Sequence, residues 1–208
     1  AIENLDSRFF TRHGQFVYSE LRGRHAGYAQ PELGIYRGVL HRVLREAAVQ
    51  RLGAGRVRSG ARCTGIVQDS QGVSVQVDGA EPLRADVAVA CHGVNSVVRR
   101  QLVPSDALAF TGINTWRGTT VHPPILGGRS YLRIGTLDVG KIVIYPIADQ
   151  VNEGGDQLIN WTTEVRQAGA PMNDWNAPGR AEDAARSVAD WRFDWLDVPR
   201  LIAGAERV

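Results

Sequence analysis

The chain has 208 residues, enough for one large domain or two small ones and for a sizeable buried core. Hydrophobic residues make up 43% and charged residues 22%, an ordinary balance for a globular protein, and the formal net charge is +2. That near-neutral charge gives no electrostatic case for nucleic-acid or membrane-surface binding, and no apolar run approaches the ~20 residues of a membrane span. Lys141 is the only lysine, and the arginines form no clustered stripe. Cys63 and Cys91 fall in expected strands and suit buried, reduced thiols of a cytoplasmic protein. They show neither C-x-x-C nor Cys/His spacing, so no metal site is expected. No signal peptide is visible.

From Ala1 to Pro31 the signal is weak, with one short expected strand at Gln15–Ser19 and two histidines, His13 and His25, in expected exposed loops. Gly34–Gly38 leads into the clearest helix, Arg37 to Leu52. Val39, Leu40, Val43, Leu44, Ala47, Ala48 and Leu52 share one face, and Gly53 follows as a natural stop. Gly60–Gln68 and Val73–Val77, linked by Asp69-Ser70-Gln71-Gly72, predict a β-hairpin with one wet face.

The stretch Ala85–Gln101 organises the first half. Val87-Ala88-Val89-Ala90-Cys91 has the continuous apolar, β-branched character of a strand buried on both faces of a parallel sheet. It breaks at His92-Gly93, and Asn95 or Ser96 then caps a short helix carrying Val97, Val98, Arg99 and Arg100. Strand, glycine turn and helix start together aim backbone N–H groups at a sheet's carboxyl edge, where nucleotides bind in open α/β folds.

After Pro104 the pattern changes. Gly112–Gly118, Ser130–Gly135, Lys141–Ile147 and Gln157–Glu164 predict four strands joined by turns, with no helix between them for a parallel crossover. An antiparallel sheet follows, with a domain boundary near Pro104–Leu108. From Asn173 the chain turns helical, with helices expected at Arg180–Trp191 and Val198–Arg207 joined by the aromatic run Trp191–Leu196. Trp161, Trp175, Trp191 and Trp195 are expected to be packing residues.

Residues His92-Gly93-Val94-Asn95-Ser96-Val97-Val98-Arg99 resemble the Asp-Gly motif of flavin-dependent aromatic hydroxylases of the para-hydroxybenzoate and salicylate hydroxylase type. Gly93, Ser96 and Arg99 match, whereas His92 stands where that family has Asp. Tyr36-Arg37-Gly38-Val39-Leu40 resembles the family's His-Arg-x-x-Leu stretch, with Tyr36 in place of the histidine. Trp116-Arg117-Gly118, Tyr145-Pro146-Ile147 and the Trp-rich C-terminal segment are similar to its substrate domain.

This resemblance implies an α/β (α+β overall) chain. A partial FAD-binding, Rossmann-like region would occupy 1–104, contributing a strand to the substrate sheet. An antiparallel-sheet substrate domain with C-terminal helices would occupy 105–208. It further implies an FAD-dependent monooxygenase that hydroxylates an aromatic substrate with NAD(P)H and dioxygen. Arg37, His92, Gly93 and Arg99 would face the cofactor, although Arg99 equally suits a helix surface. Asn114, Trp116, Tyr145 and Asn160 are the candidates for substrate contact, and no catalytic base stands out.

No G-x-G-x-x-G occurs, and the family's Gly-Asp motif would lie beyond Val208, so the sequence resembles the middle of a longer enzyme, inactive as a fragment. A non-catalytic flavoprotein-fold remnant or small-molecule-binding module is the alternative. A serine hydrolase built on Ser96 is disfavoured by the lack of a G-x-S-x-G elbow.

Overall fold

The computed structural model describes residues 1–166 and 177–208. A two-residue strand β1 (Ile2–Glu3) precedes the antiparallel pair β2 (Asp6–Phe10) and β3 (Phe16–Leu21). Strand β4 (Leu33–Gly34) pairs with β1 and leads into helix α1 (Arg37–Leu52). Next come the hairpin β5 (Cys63–Asp69) and β6 (Gly72–Val77), the short β7 (Leu83–Ala85) paired to β6, and helix α2 (Val97–Leu102). The long strands β8 (Ile113–His122), β9 (Ser130–Thr136), β10 (Gly140–Ala148) and β11 (Gln157–Arg166) follow. The chain closes with α3 (Ala181–Ala185), the small hairpin β12 (Arg192–Phe193) and β13 (Leu196–Asp197), and α4 (Val198–Ala203).

Two units are resolved: residues 1–42 with 111–208, and residues 43–110. In the first, six strands hydrogen-bond in the order β3-β2-β9-β10-β11-β8. The four strands expected after Pro104 are antiparallel to their neighbours, while β2 joins β9 in parallel, so the sheet is mixed. Alternation dictates its two faces. Leu132, Ile134, Ile142, Ile144, Ile159 and Trp161 point to one side and are buried beneath Val188, Trp191, Val198, Leu201 and Ile202 from the C-terminal helical segment. Each such side chain contributes about 1.5–3 kcal/mol of burial free energy.

Polar groups trapped in this layer find partners. The Trp161 indole N–H donates to Thr120 Oγ1 at 3.1 Å, and that hydroxyl donates to the Leu201 carbonyl at 2.8 Å. Gly118 lets the Trp161 ring approach the neighbouring strand, since a Cβ there would lie 2.4 Å from it. Asp197 caps α4 by accepting from the Arg200 N–H at 2.9 Å.

The second unit forms as expected around β5, β6 and the Ser96-capped α2, but two expectations there are corrected. Val87–Cys91 is not a strand: Val87 and Val89 are 75% and 81% exposed, and Cys91 is exposed rather than buried. A strand buried on both faces needs a hydrogen-bonded neighbour on each side, and among the described residues this run pairs with none. Helix α1 has its expected bounds, yet Val39, Leu40, Val43, Leu44 and Leu52 are exposed, with no sheet over their face among the described residues.

At the C-terminus the helices are shorter than periodicity implied. Arg186–Val188 tightens to a 3-10 turn after α3, α4 stops at Ala203, and the aromatic link forms the β12–β13 hairpin. Trp161 and Trp191 are buried and Trp195 packs beside them as expected, while Asn173 and Trp175 lie outside the described residues.

Candidate functional site

Two arrangements bring the expected site residues into view. In the second unit the chain turns at Gly93, whose φ of +69° suits glycine, and the Ser96 N–H donates to the Gly93 carbonyl at 3.1 Å. Nothing lies within 4 Å of where a Gly93 side chain would project, so the backbone is open to close approach. Buried Ser96 accepts from the Arg99 N–H at 3.0 Å, and its hydroxyl lies 3.3 Å from His92 Nε2. Either proton assignment in that contact leaves His92 Nδ1 as the nitrogen available to a ligand.

An open groove of about 640 Å³ runs past Arg62, Cys63, Cys91, His92, Asn95 and Arg100. Helix α2 is fixed beside it by Gln101, whose amide accepts from the Ile66 N–H at 2.9 Å and donates to the Ile66 carbonyl at 2.5 Å. Arg99 does not line the groove. It makes an ion pair with Asp106. The open backbone at Gly93, the donor–acceptor imidazole and the guanidinium pair Arg62 and Arg100 fit one wall of a site for a phosphate-bearing dinucleotide. Arg62 and Arg100 were not singled out by sequence reasoning, because their convergence depends on the turn.

In the first unit, the sheet face opposite the helical layer carries the second arrangement. Register pairs Tyr145 with Asn160, placing both on this face, and Tyr131 stacks on Tyr145 at 5.0 Å. Asn114 and Trp116 alternate to the other side, where Trp116 packs against the core. Arg133 extends the open face, its guanidinium 5.2 Å from the Tyr131 ring and 5.1 Å from Phe9, which in turn stacks on Tyr18 at 4.2 Å.

Burial pushes the Tyr145 hydroxyl above the ordinary phenol range, Tyr131 adds to this, and Arg37 and Arg117 oppose it. Tyr131 is likewise raised by burial, against the pull of Arg133. Both tyrosines therefore stay protonated donors at neutral pH. Arg37, the first residue of α1, is exposed and acts electrostatically on Tyr145. Lys141 and Glu164 on this face neutralise each other at 2.7 Å.

The family model described as FAD binding domain matches residues 18–126, more than half of the chain. The chain belongs to that FAD-binding family. Among its relatives is the phenazine 1,6-dicarboxylic acid hydroxylase of Lysobacter antibioticus, 30% identical over 217 aligned positions covering 100% of this chain and 53% of the relative. A 3-amino-4-hydroxybenzoate 2-monooxygenase of Streptomyces platensis is 30% identical over 181 positions, 86% of this chain and 42% of that protein.

Among solved structures, 2,6-dihydroxypyridine-3-hydroxylase from Arthrobacter nicotinovorans superposes with a TM-score of 0.66 at 17% identity, over 99% of this chain and 54% of that one. A salicylate hydroxylase substrate complex gives 0.63 at 19% identity, over 97% and 53%. These likenesses place the fold among flavin hydroxylases, and the chain spans about half the length of the curated relatives it matches. Among the described residues no helix is long and apolar enough to cross a membrane, and no cluster of three or more His, Cys, Asp or Glu has the geometry to hold a metal ion.

Proposed function

We propose that this chain is part of an FAD-dependent monooxygenase that hydroxylates an aromatic ring, with NAD(P)H as reductant and dioxygen as co-substrate. The observation that carries this reading is the half-buried Tyr131–Tyr145 stack with Asn160 beside it on the one sheet face not covered by the helical layer. A planar ring can lie against such a surface, with the protonated Tyr145 hydroxyl and the Asn160 amide orienting it by hydrogen bonds. The aromatic substrates in the names of the phenazine and aminohydroxybenzoate relatives support the same class. Asn114 and Trp116 are dropped from the ring site because they face the other layer.

Arg37, His92 and Gly93 would hold the cofactor, with Arg62 and Arg100 compensating phosphate charge. Arg99, tied to Asp106, would instead fix the turn. Bound FAD supplies the redox chemistry, from NAD(P)H through to oxygen insertion. The protein's own contribution is to orient the ring, exclude water and keep two phenols protonated.

The test is substrate-stimulated oxygen uptake and NAD(P)H consumption by a protein carrying this chain, supplied with FAD and a panel of aromatic acids and phenols. A hydroxylated product is the expected outcome; oxygen uptake indifferent to every ring compound would refute the assignment. Replacing His92→Asp should strengthen FAD binding or speed reduction, and a variant improved in neither would remove His92 from the cofactor wall.

A non-catalytic, aromatic-binding module is a second reading, favoured by the exposed Val87–Cys91 run. Flavin retained through purification would argue against it.

A further inference from the structure

We propose that strand β3 joins two copies of this chain, pairing antiparallel with its own equivalent about a two-fold axis at Ser19, so that two six-stranded sheets become one. Strand β3 ends its side of the sheet, and among the described residues no strand pairs with its outer edge. All six of its residues are exposed, with Phe16, Val17, Tyr18 and Leu21 at 45–59%. Bare edges are ordinarily blunted by lysine, proline, a bulge or charge. Strand β3 has neither lysine nor proline, and its one charge, Glu20, is neutralised by Arg22 at 3.2 Å. The bulge between Phe9 and Phe10 falls at its Phe16 end, short of Ser19. Its rings are already held, Tyr18 stacked on Phe9 at 4.2 Å and Phe16 edge-on to Phe10 at 5.8 Å, so a partner need not order them.

The backbone restricts the register. The Arg22 N–H donates to the Leu5 carbonyl at 2.9 Å, and alternation along the antiparallel β2–β3 ladder turns the backbone groups of Glu20 and Tyr18 inward as well. Ser19 and Leu21 therefore direct both N–H and C=O outward. The Val17 carbonyl points with them, because it lies opposite the inward Tyr18 N–H across one planar peptide. Self-pairings centred on Ser19 or on Glu20 use these groups equally well. Centring on Glu20 sets two carboxylates face to face, which disfavours it. Centring on Ser19 sets Glu20 against Tyr18 and Leu21 against Val17, with no like charges opposed.

That register also brings the second copy's Phe16 level with Arg22, at the mouth of an open recess of about 610 Å³ walled by Leu21, Arg22, Ala26, Tyr28 and Pro31. Covering these side chains and the strand backbone on both copies removes on the order of 1,000 Å² from water, the lower end for specific association and consistent with micromolar affinity. An edge that is its own complement under a two-fold takes a second copy of the same chain.

Sedimentation of a protein carrying this chain, from about 1 to about 100 µM, should show monomer passing to dimer. Ser19→Lys and Ser19→Glu each set like charges across the axis at an exposed position, and each should weaken the dimer about tenfold. Mixing the two variants should restore it as a mixed pair, which also shows both folds intact. Amide exchange needs no variant: the Ser19 and Leu21 N–H groups should gain protection as concentration rises, while that of Glu20, already turned toward β2, should not.

A native protein that stays monomeric, whatever covers the edge, would overturn the proposal. So would a dimer unmoved by Ser19→Lys, which would put the contact elsewhere, such as the exposed face of α1. Ser19 and Leu21 amides that exchange equally fast at every concentration would do the same.

Discussion

Ile142-Val143-Ile144 in β10 and Val87-Ala88-Val89 are stretches of nearly equal apolar, β-branched character, yet the first is buried while the valines of the second are 75% and 81% exposed. Strand β10 has β9 on one side, β11 on the other and the C-terminal helical layer over one face. The Val87 stretch has no paired strand among the described residues. Apolar pattern thus encodes a demand for partners, and structure appears only where the partners are present. Helix α1 shows the same contrast against α4: Leu201 and Ile202 are buried where Val43 and Leu44 are exposed.

The largest test of this difference pairs one substitution from each region. Trp161→Ala removes a fully buried ring and leaves Thr120 without its donor, so it should destabilise the sheet unit by about 3–5 kcal/mol in urea unfolding. Val89→Ala, in the exposed run, should change stability by no more than about 0.5 kcal/mol. Comparable losses at the two positions would mean that Val89 is buried in solution and that the contrast is false.

Within the 43–110 unit, the hairpin should behave as ordered structure in its own right. Gly72 has a φ of +133°, and a Cβ there would lie 2.5 Å from the Ala85 carbonyl oxygen, a backbone atom that has little room to move. Gly72→Ala should therefore cost about 1–3 kcal/mol, read as lost amide-exchange protection at β6 with β10 unaffected. A smaller effect, about 1 kcal/mol, is expected for Gln101→Ala, which removes both hydrogen bonds to Ile66. Faster exchange of the Ile66 amide alone would confirm that the side chain clamps α2 to β5; unchanged exchange would not.

The alternating strands after Pro104 and the period of α1 were legible because each element states its own period. Strand β2 was not, since Asp6, Ser7 and Arg8 give it a polar start whose burial depends on pairing with β9. The site divides in the same way. Tyr145 and Asn160 entered only as members of the sheet expected to face the ring, and Ser96 from capping chemistry. Phe9, Tyr131 and Arg133 did not, because sharing a face with Tyr145 is a matter of register between strands far apart in sequence, Phe9 pairing with Arg133 at a separation of 124 residues, which one sequence does not state. Trp116 misled for the same reason, being one residue out of phase with the open face.

The smallest effect tests whether surface charge helps the hairpin that its apolar neighbours leave exposed. Arg84 bonds Asp69 through two contacts of 2.5 and 2.9 Å, and with the Gln71 N–H it holds the Asp69 carboxyl below the ordinary carboxylate range. A carboxyl depressed on folding binds its proton more readily unfolded, so its stabilisation is present above the unfolded value and lost as pH falls through the folded one. Hairpin protection should therefore decline on acidification, and Arg84→Ala should flatten that dependence by raising the Asp69 midpoint seen in a carboxyl NMR titration. Both groups are exposed, so added salt should mute the difference. An Asp69 midpoint that stays put in Arg84→Ala would assign the depression to the Asp69–Gln71 turn instead.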